Sequence, residues 1–333
     1  MRQGDQSAPA DVPGRFDRIL HLGNVVVDVV LSVPALPERG SDVVASRAEA
    51  TAGGGFNVMA AAARQGLRAA YAGAHGTGPF GTLARSALAQ EGIEVIQPVK
   101  TGLDTGFVIT IVEASGERTF LTSRGAEATL TAADLDPVDP APRDAVYLSG
   151  YSLLHASNRA ALLGWLARLG DGHTMFFDPG PLVGSIPARE LAAVLGRADW
   201  LTCNAREAAI LAGSTDPWAA VTALTSRTSR SQVLVRTGAD GCLIGRPAAR
   251  VVHVPGFSVR VVDTNGAGDT HSGVFIAALA AGASETEAAR TANAAAALSV
   301  TRRGPATAPS REELNQFLAA GCSGQLHRHT SWP

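Results

Sequence analysis

Val261-Val262-Asp263-Thr264-Asn265-Gly266-Ala267-Gly268-Asp269-Thr270-His271-Ser272-Gly273, running on into Val274-Phe275-Ile276, is the stretch around which the rest of this 333-residue chain can be arranged. Val261 and Val262 read as the end of a strand and Asp263-Thr264-Asn265 as turn material. Gly266-Ala267-Gly268 then enters a helix that turns Val274, Phe275, Ile276 and Leu279 inward. Small residues at a helix start let a ligand come close to the backbone. The first helical N–H groups have no internal acceptor, and the helix dipole favours negative charge beside them, so Gly266, Ala267 and Gly268 form a phosphate-sized anion site. Asp269 adds a carboxylate next to it, placed as a base waiting for a proton. On these residues alone, a Gly-rich turn with Asp269 as a first-turn helix acid remains the alternative, because short motifs recur by chance.

The longer string Asp-Thr-x-Gly-Ala-Gly-Asp with an apolar helix behind it resembles the signature of the ribokinase-like (PfkB) carbohydrate kinases. The resemblance implies an α/β fold, with a mostly parallel central sheet, helices on both faces and a small β-sheet lid. It also implies phosphoryl transfer from ATP.

Composition agrees with a large α/β core: 46% of residues are hydrophobic and only 5% aromatic. A net charge of −2 leaves no basic field for nucleic acid or an anionic membrane. Of 28 basic residues only Lys100 is lysine. A Walker-type Gly-Lys-Ser/Thr loop is therefore absent, and any phosphate clamp must use amides, arginine or a metal. Cys203, Cys242 and Cys322 are far apart and odd in number, which indicates neither a disulfide framework nor a zinc site. His327 and His329 lie in a polar tail. Residues 1–15 carry no apolar run, and no stretch is long and apolar enough to span a bilayer, so a soluble cytoplasmic protein is expected.

Along the chain, Arg18 to Leu31 reads as a buried first strand interrupted by Asp28. A charge there is costly unless paired or bound to a ligand. The resemblance makes Asp28 a sugar-hydroxyl acceptor; a solvated turn residue is the alternative. Residues 31–50 carry short β-prone pieces such as Asp42-Val43-Val44, and residues 105–123 read as a hairpin turning at Ala114-Ser115-Gly116-Glu117. Both interrupt a β/α alternation and are expected to form the lid, which the family often also uses as a dimer face. Gly53-Gly54-Gly55-Phe56-Asn57 precedes an Ala-rich helix, with Asn57 readable as its N-cap. By resemblance Gly53, Gly54 and Asn57 bind the sugar.

Gly76-Thr77-Gly78-Pro79-Phe80-Gly81 is a literal GxGxxG, which taken alone suggests a dinucleotide. It is not the first β/α turn, and Glu94 falls well short of the position about 20 residues on where an acid is expected. From residue 143 strands and helices alternate, arguing for a parallel sheet with ligands at the carboxyl ends of its strands. Asn204 and Glu207 form a capping box at one such end, and Ser284 with Glu287 forms another. By resemblance, Asn204 and Glu207 order Mg²⁺ waters and phosphates. Gly238, Gly241 and Asn293 serve the nucleotide, and Asp263 with Asn265 and carbonyls of 298–304 holds K⁺.

The expected organisation is a core of 16–30, 51–104 and 124–320, a lid of 31–50 and 105–123, and flexible tails at 1–15 and 321–333. The expected activity is ATP-dependent phosphorylation of a hydroxymethyl group on a sugar or sugar-like molecule, with Asp269 kept ionised by its helix-start position and acting as a weak base. A nucleoside kinase of the same fold and a non-catalytic sugar-binding relative are the alternatives. Val26, Glu127, Gly150 and Arg236 depart from the family's usual residues.

Overall fold

The computed structural model describes residues 15–227 and 230–325. His327, His329 and residues 1–14 and 326–333 of the expected tails lie outside them, whereas 321–325, expected as tail, are helical. The chain opens with β1 (Arg18–His21), β2 (Val25–Val33), β3 (Arg47–Gly54), α1 (Gly55–Arg64), β4 (Arg68–Tyr71), α2 (Pro79–Gln90) and β5 (Glu94–Val95). A hairpin of β6 (Phe107–Glu113) and β7 (Arg118–Ser123) follows, then α3 (Ala132–Leu135), β8 (Asp144–Ser149), α4 (Ala156–Arg168), β9 (Thr174–Asp178) and α5 (Ala188–Arg197). Next come β10 (Trp200–Asn204), α6 (Ala205–Ala212), α7 (Pro217–Arg227), β11 (Gln232–Arg236), β12 (Cys242–Gly245) and β13 (Val252–Val254). The last helices are α8 (Ala267–Ala280), α9 (Glu285–Ser299) and α10 (Arg311–Gln325).

Nine strands form the main sheet in the order β13-β12-β11-β10-β9-β8-β1-β4-β5, parallel except for β12 and β13 at one edge. Apolar clusters cover both faces. One joins α1, α8 and α9 to the sheet through residues such as Met59, Phe275 and Ala292; the other joins α4, α5 and α7 through Leu162, Val194 and Leu224. The chain winds outward from β1 through β4 and β5, then returns to the other side of β1 and continues from β8. The crevice at the carboxyl ends of β1 and β8 is therefore the topological switch point, where open α/β sheets bind ligands. His21 and Tyr147 are register partners there.

A four-stranded sheet, β3-β2-β6-β7, stands apart from the main one. The expected single strand from Arg18 to Leu31 is two strands in different sheets. The amide of Leu22 still bonds the Tyr147 carbonyl at 2.8 Å, but that of Val25 is taken by the Tyr71 hydroxyl at 3.1 Å. Between them Gly23 lies so close against the His21 ring that no side chain would fit, and the chain turns into the small sheet. The β-prone piece at Asp42–Val44 is irregular, with Val44 exposed; pairing with β2 places the strand at Arg47–Gly54 instead.

The GxGxxG segment is closed by its own protein. The amides of Phe80 and Gly81 at the start of α2 donate to Asp104 at 3.1 and 2.7 Å, which occupies the place a pyrophosphate would need. Among the described residues no helix is long and apolar enough to cross a membrane.

Helix α8 is buried on nearly every side, as its apolar sequence requires. Each fully buried Val, Phe or Ile contributes roughly 1.5–3 kcal/mol. Gly273 lies against the backbone of Val58, where a side chain would collide, so α1 and α8 cross closely. That crossing sets the distance between the amino-terminal ends of the two helices, and hence the geometry of the site.

Candidate active site

Gly266 is the N-cap of α8, in the left-handed region at φ 72°, and pressed against the Pro305 carbonyl. Only glycine fits that conformation and space. The turn leaves the amides of Gly268 and Asp269 without an acceptor among the described residues, while that of Ala267 makes a 3.3 Å bond to the Thr264 carbonyl.

Two cavities meet at this helix end. One, of about 340 Å³, is lined by His21, Gly54, Tyr147, Tyr151, Asp178, Glu207, Asn265 and Asp269 among others. The second, of about 410 Å³, runs between Gly238, Gly241, Phe257, Ala267, His271, Asn293 and Val300. Asn204, Arg236 and Gly268 line both, and so form the seam.

Asp269 lies on the first cavity's side of that seam. Asn57, expected as a helix cap, is instead the third residue of α1, after Gly54 as N-cap, and its Nδ2 donates to Asp269 Oδ2 at 3.0 Å. Asp269 is not the firmly ionised helix acid its position suggested. Burial pushes its pKa up to about 7; Asp178 and Asp28 add to the rise, while the Asn57 hydrogen bond and Arg236 oppose it. Desolvation by α1, α8 and the strands around them outweighs the helix dipole.

Asp28 stands behind the cavity wall, on β2, against Gly53, where a side chain would collide with its carboxylate; burial raises its pKa to about 6. Neither Asp28 nor Gly53 lines the cavity. Asn204 and Glu207 form the expected capping box, with Glu207 Oε2 accepting from the Asn204 amide at 2.9 Å and Oε1 from its Nδ2 at 2.7 Å. Burial, and next the neighbouring Asp178, raise the pKa of Glu207. Asn293 walls the second cavity but spends its amide internally, donating to the Val254 and Pro255 carbonyls and accepting from His271 Nε2 at 3.0 Å.

Asp263 does not offer the open carboxylate expected of a K⁺ ligand. Its Oδ1 pairs with Arg118 of β7 at 2.6 Å and accepts from the Asn265 amide, while Oδ2 accepts from the Gly304 amide. Burial alone would raise its pKa, yet these three donors together hold it below the usual carboxylate range. The Val300 carbonyl is likewise taken, by the amides of Val262 and Asp263. A guanidinium already neutralises the group, so these residues do not fit a further cation.

Three cavity residues carry no role in the sequence reading. Asp178 closes β9 and accepts from Arg236; Tyr151 flanks the cavity opening; His21 stacks on Tyr147 with ring centroids 5.0 Å apart. Burial lowers the pKa of His21 to about 3, and neither ring nitrogen has a partner among the described residues. Asp178 had a signal, since it ends a strand as Asn204 does. His21 had none.

Of the departures, Glu127 is buried and its carboxylate accepts from the amides of Gly106 and Gly125 at 2.7 and 2.9 Å, tying down both roots of the β6–β7 hairpin. Gly150 has no room for a side chain beside the Pro179 carbonyl.

Two cavities that meet at the amino-terminal end of α8, in a ribokinase-like α/β fold, define a small-molecule kinase. The chain belongs to the pfkB family carbohydrate kinases, whose family model matches residues 17–312. It is 33% identical over 300 residues to the uncharacterized sugar kinase YegV of Escherichia coli, covering 89% of this chain and 92% of that one. It is 31% identical over 307 residues to an ATP-dependent ribose-1-phosphate kinase of Halopiger xanaduensis, covering 91% and 98%. The structure of ribokinase from Thermotoga maritima superposes with a TM-score of 0.78 at 26% identity, covering 91% of this chain and 99% of that one. The protein is a phosphotransferase of the sugar-kinase class.

Proposed function

We propose that the protein transfers the γ-phosphoryl group of ATP to a hydroxymethyl group of a sugar or sugar-like molecule. The observation that carries this reading is the shared seam: Asn204, Arg236 and Gly268 border both cavities, and Asp269 faces the polar one. The larger cavity is read as the nucleotide site, with Gly238, Gly241 and Asn293 as walls, and the polar cavity as the acceptor site.

Phosphoryl transfer asks a protein mainly for positioning and charge stabilisation. The amides left free at the 266–268 turn, those of Gly268 and Asp269, hold charge on the transferring group as it builds. Asp269 takes the proton of the attacking hydroxyl, and a pKa near 7 matches it to neutral pH better than an ordinary carboxylate. Asn57 fixes the carboxylate's orientation. Asp28, behind Gly53, supplies an acceptor for substrate hydroxyls once the small sheet closes as a lid and excludes water.

Among the described residues no cluster of three ligands would hold a metal directly. The oxygen donors of Asn204 at the seam and of Asp178 and Glu207 in the first cavity beside it fit Mg²⁺ carried by the phosphates and held through water. Bound there, Mg²⁺ neutralises phosphate charge. Strand β7 exposes Phe120 and Leu121, which supports a homodimer formed through the small sheet; sedimentation of the parent and of a Phe120→Asp variant tests it. A cytoplasmic location follows from ATP as co-substrate.

An ADP-release screen over pentoses, hexoses and nucleosides tests the function. The expected result is a single acceptor class that stimulates ADP formation in the parent and not in Asp269→Asn. Acceptor-independent or equal ADP release by both proteins would defeat the reading.

A further inference from the structure

No other Lys or Arg among the described residues lines either cavity, yet Arg236 borders both. It ends β11, in register with Asn204 at the end of β10. Its side chain is 12% exposed, buried enough to be rigid and open enough to meet a ligand. Nη1 donates to Ser272 Oγ on α8 at 3.0 Å, and Nη2 donates to Asp178 Oδ2 at 3.0 Å and lies 3.9 Å from Glu207 Oε2. Burial disfavours its charge, but Asp178 and Glu207 more than offset this and keep it protonated. Nε makes none of these bonds. By a narrow margin it is the atom nearest to where a side chain on Gly268 would begin, 3.5 Å from that point, with Cζ and Nη2 both at 3.6 Å.

This places a fixed cation beside the amino-terminal end of a helix, where the dipole is already positive. Two positive features converging on one spot repel unless an anion lies between them. Asp178 and Glu207 balance the guanidinium through Nη2 and Ser272 holds Nη1, so Nε is the nitrogen left for a ligand beside the helix end. A chain with one lysine and no Walker loop has few other ways to supply a fixed charge there.

We propose that Arg236 is a catalytic residue that donates from Nε to the γ-phosphate of ATP while the amides of Gly268 and Asp269 hold the other oxygens. The inference rests on the phosphoryl-transfer reading of this site. In the step, the acceptor oxygen forms a bond to the γ-phosphorus as the bond to the β-phosphate oxygen breaks. The electron pair leaves with ADP, and the hydroxyl proton passes to Asp269. Arg236 changes neither protonation nor bonding; it stabilises the charge spread over the transferring group. A planar fork suits this task better than an ammonium.

The test compares Arg236→Gln, Arg236→Lys and the double variant Asp178→Asn/Arg236→Gln with the parent, as full chains. Removing the arginine alone strands Asp178 and Glu207, so the double variant restores charge balance if the single one folds poorly. Calorimetry reads affinity for ADP and for a non-hydrolysable ATP analogue, and turnover is measured with the acceptor from the screen. Arg236→Gln and the double variant should lose turnover by about 10²–10³, the usual worth of a transition-state donor. ADP affinity should stay within about threefold, but the parent's preference for the analogue should vanish, and Arg236→Lys should fall between. Turnover within threefold of the parent in the double variant, or equal loss of ADP and analogue binding, would overturn the assignment. Asp269→Asn separates the two readings: if it is inactive while Arg236→Gln is not, the arginine role fails and the kinase reading stands. Should the parent phosphorylate nothing, the kinase reading fails, and a preference for the analogue that Arg236→Gln loses still supports the phosphate contact.

Discussion

The side-chain amide of Asn57 donates a 3.0 Å hydrogen bond to the carboxylate of Asp269, joining residues 212 positions apart. The bond exists because Gly273 lets α1 and α8 cross closely, and it holds Asp269 at the wall of the first cavity. Asp269→Asn keeps the size of the side chain and leaves the 266–268 amides in place. ATP and acceptor should still bind, and turnover should fall by about 10²–10⁴, the worth of a positioned general base. Single-turnover kinetics check this; a loss of only a few-fold would return Asp269 to a helix acid.

The pH dependence follows from the carboxyl pKa of about 7. In the proposed reading the deprotonated form acts as the base, so kcat should rise with pH through about 7 and level above it. Stability has the opposite sign. Between the ordinary carboxyl value near 4 and about 7 the folded state binds more protons than the unfolded one, so stability falls as pH rises across that window. Asp269→Asn should flatten that slope in denaturation curves taken from pH 4 to 8.

Asn57 stabilises the ionised form of Asp269, and its removal leaves burial less opposed. Asn57→Ala should therefore move the rising limb of the kcat profile to higher pH, as well as lower its plateau. A lowered plateau with an unmoved limb would mean that Asn57 only packs.

These relationships mark the limit of what the chain's linear order reveals. The glycine turn at 266–268 and the capping boxes at Asn204 and Ser284 are local, built from residues within one helical turn, and Asn204 with Glu207 could be read from a spacing of three. The parallel sheet followed from β/α alternation. The protonation of Asp269 could not be read, because the burial that raises it comes from α1 and the strands around it, remote in sequence. The turn at Leu22–Asn24 is set by the His21 ring and the Tyr71 hydroxyl, so an apolar run looked like one strand. Glu127 appeared only as an unusual residue, since its partners Gly106 and Gly125 are backbone amides that no side-chain pattern announces.

Glu127 yields a stability prediction. Glu127→Ala leaves the amides of Gly106 and Gly125 without their acceptor in a buried place, at a cost of about 1–3 kcal/mol. The β6–β7 hairpin should loosen at its roots, raising the acceptor KM more than the ATP KM. Hydrogen exchange should show faster exchange confined to 106–125. Uniform destabilisation of the whole chain would remove the local role.

The last prediction concerns Arg118 and Asp263. The 2.6 Å pair bridges β7 of the small sheet to the turn that precedes the anion-binding helix end. Arg118 is the positive charge that the turn's carboxylate requires, and the nearby Val300 carbonyl is satisfied by backbone amides. Turnover should therefore be the same, within about twofold, in K⁺ and in tetramethylammonium at equal ionic strength. An exposed ion pair of this kind is worth little, but this one is only about a quarter exposed on the arginine side and also accepts two amides on Asp263. Arg118→Ala should spare folding, since the two amides remain, and should lower turnover by loosening the small sheet over the acceptor cavity. Adding K⁺ to Arg118→Ala separates charge from tethering. Recovery of parental turnover would mean that the turn needs only a cation. Persistent loss, with an acceptor KM that stays high, would mean that the bridge itself holds the small sheet down. Strong activation of the parent by K⁺ would show that Asp263 binds the ion despite Arg118, and would restore the role its sequence context suggested.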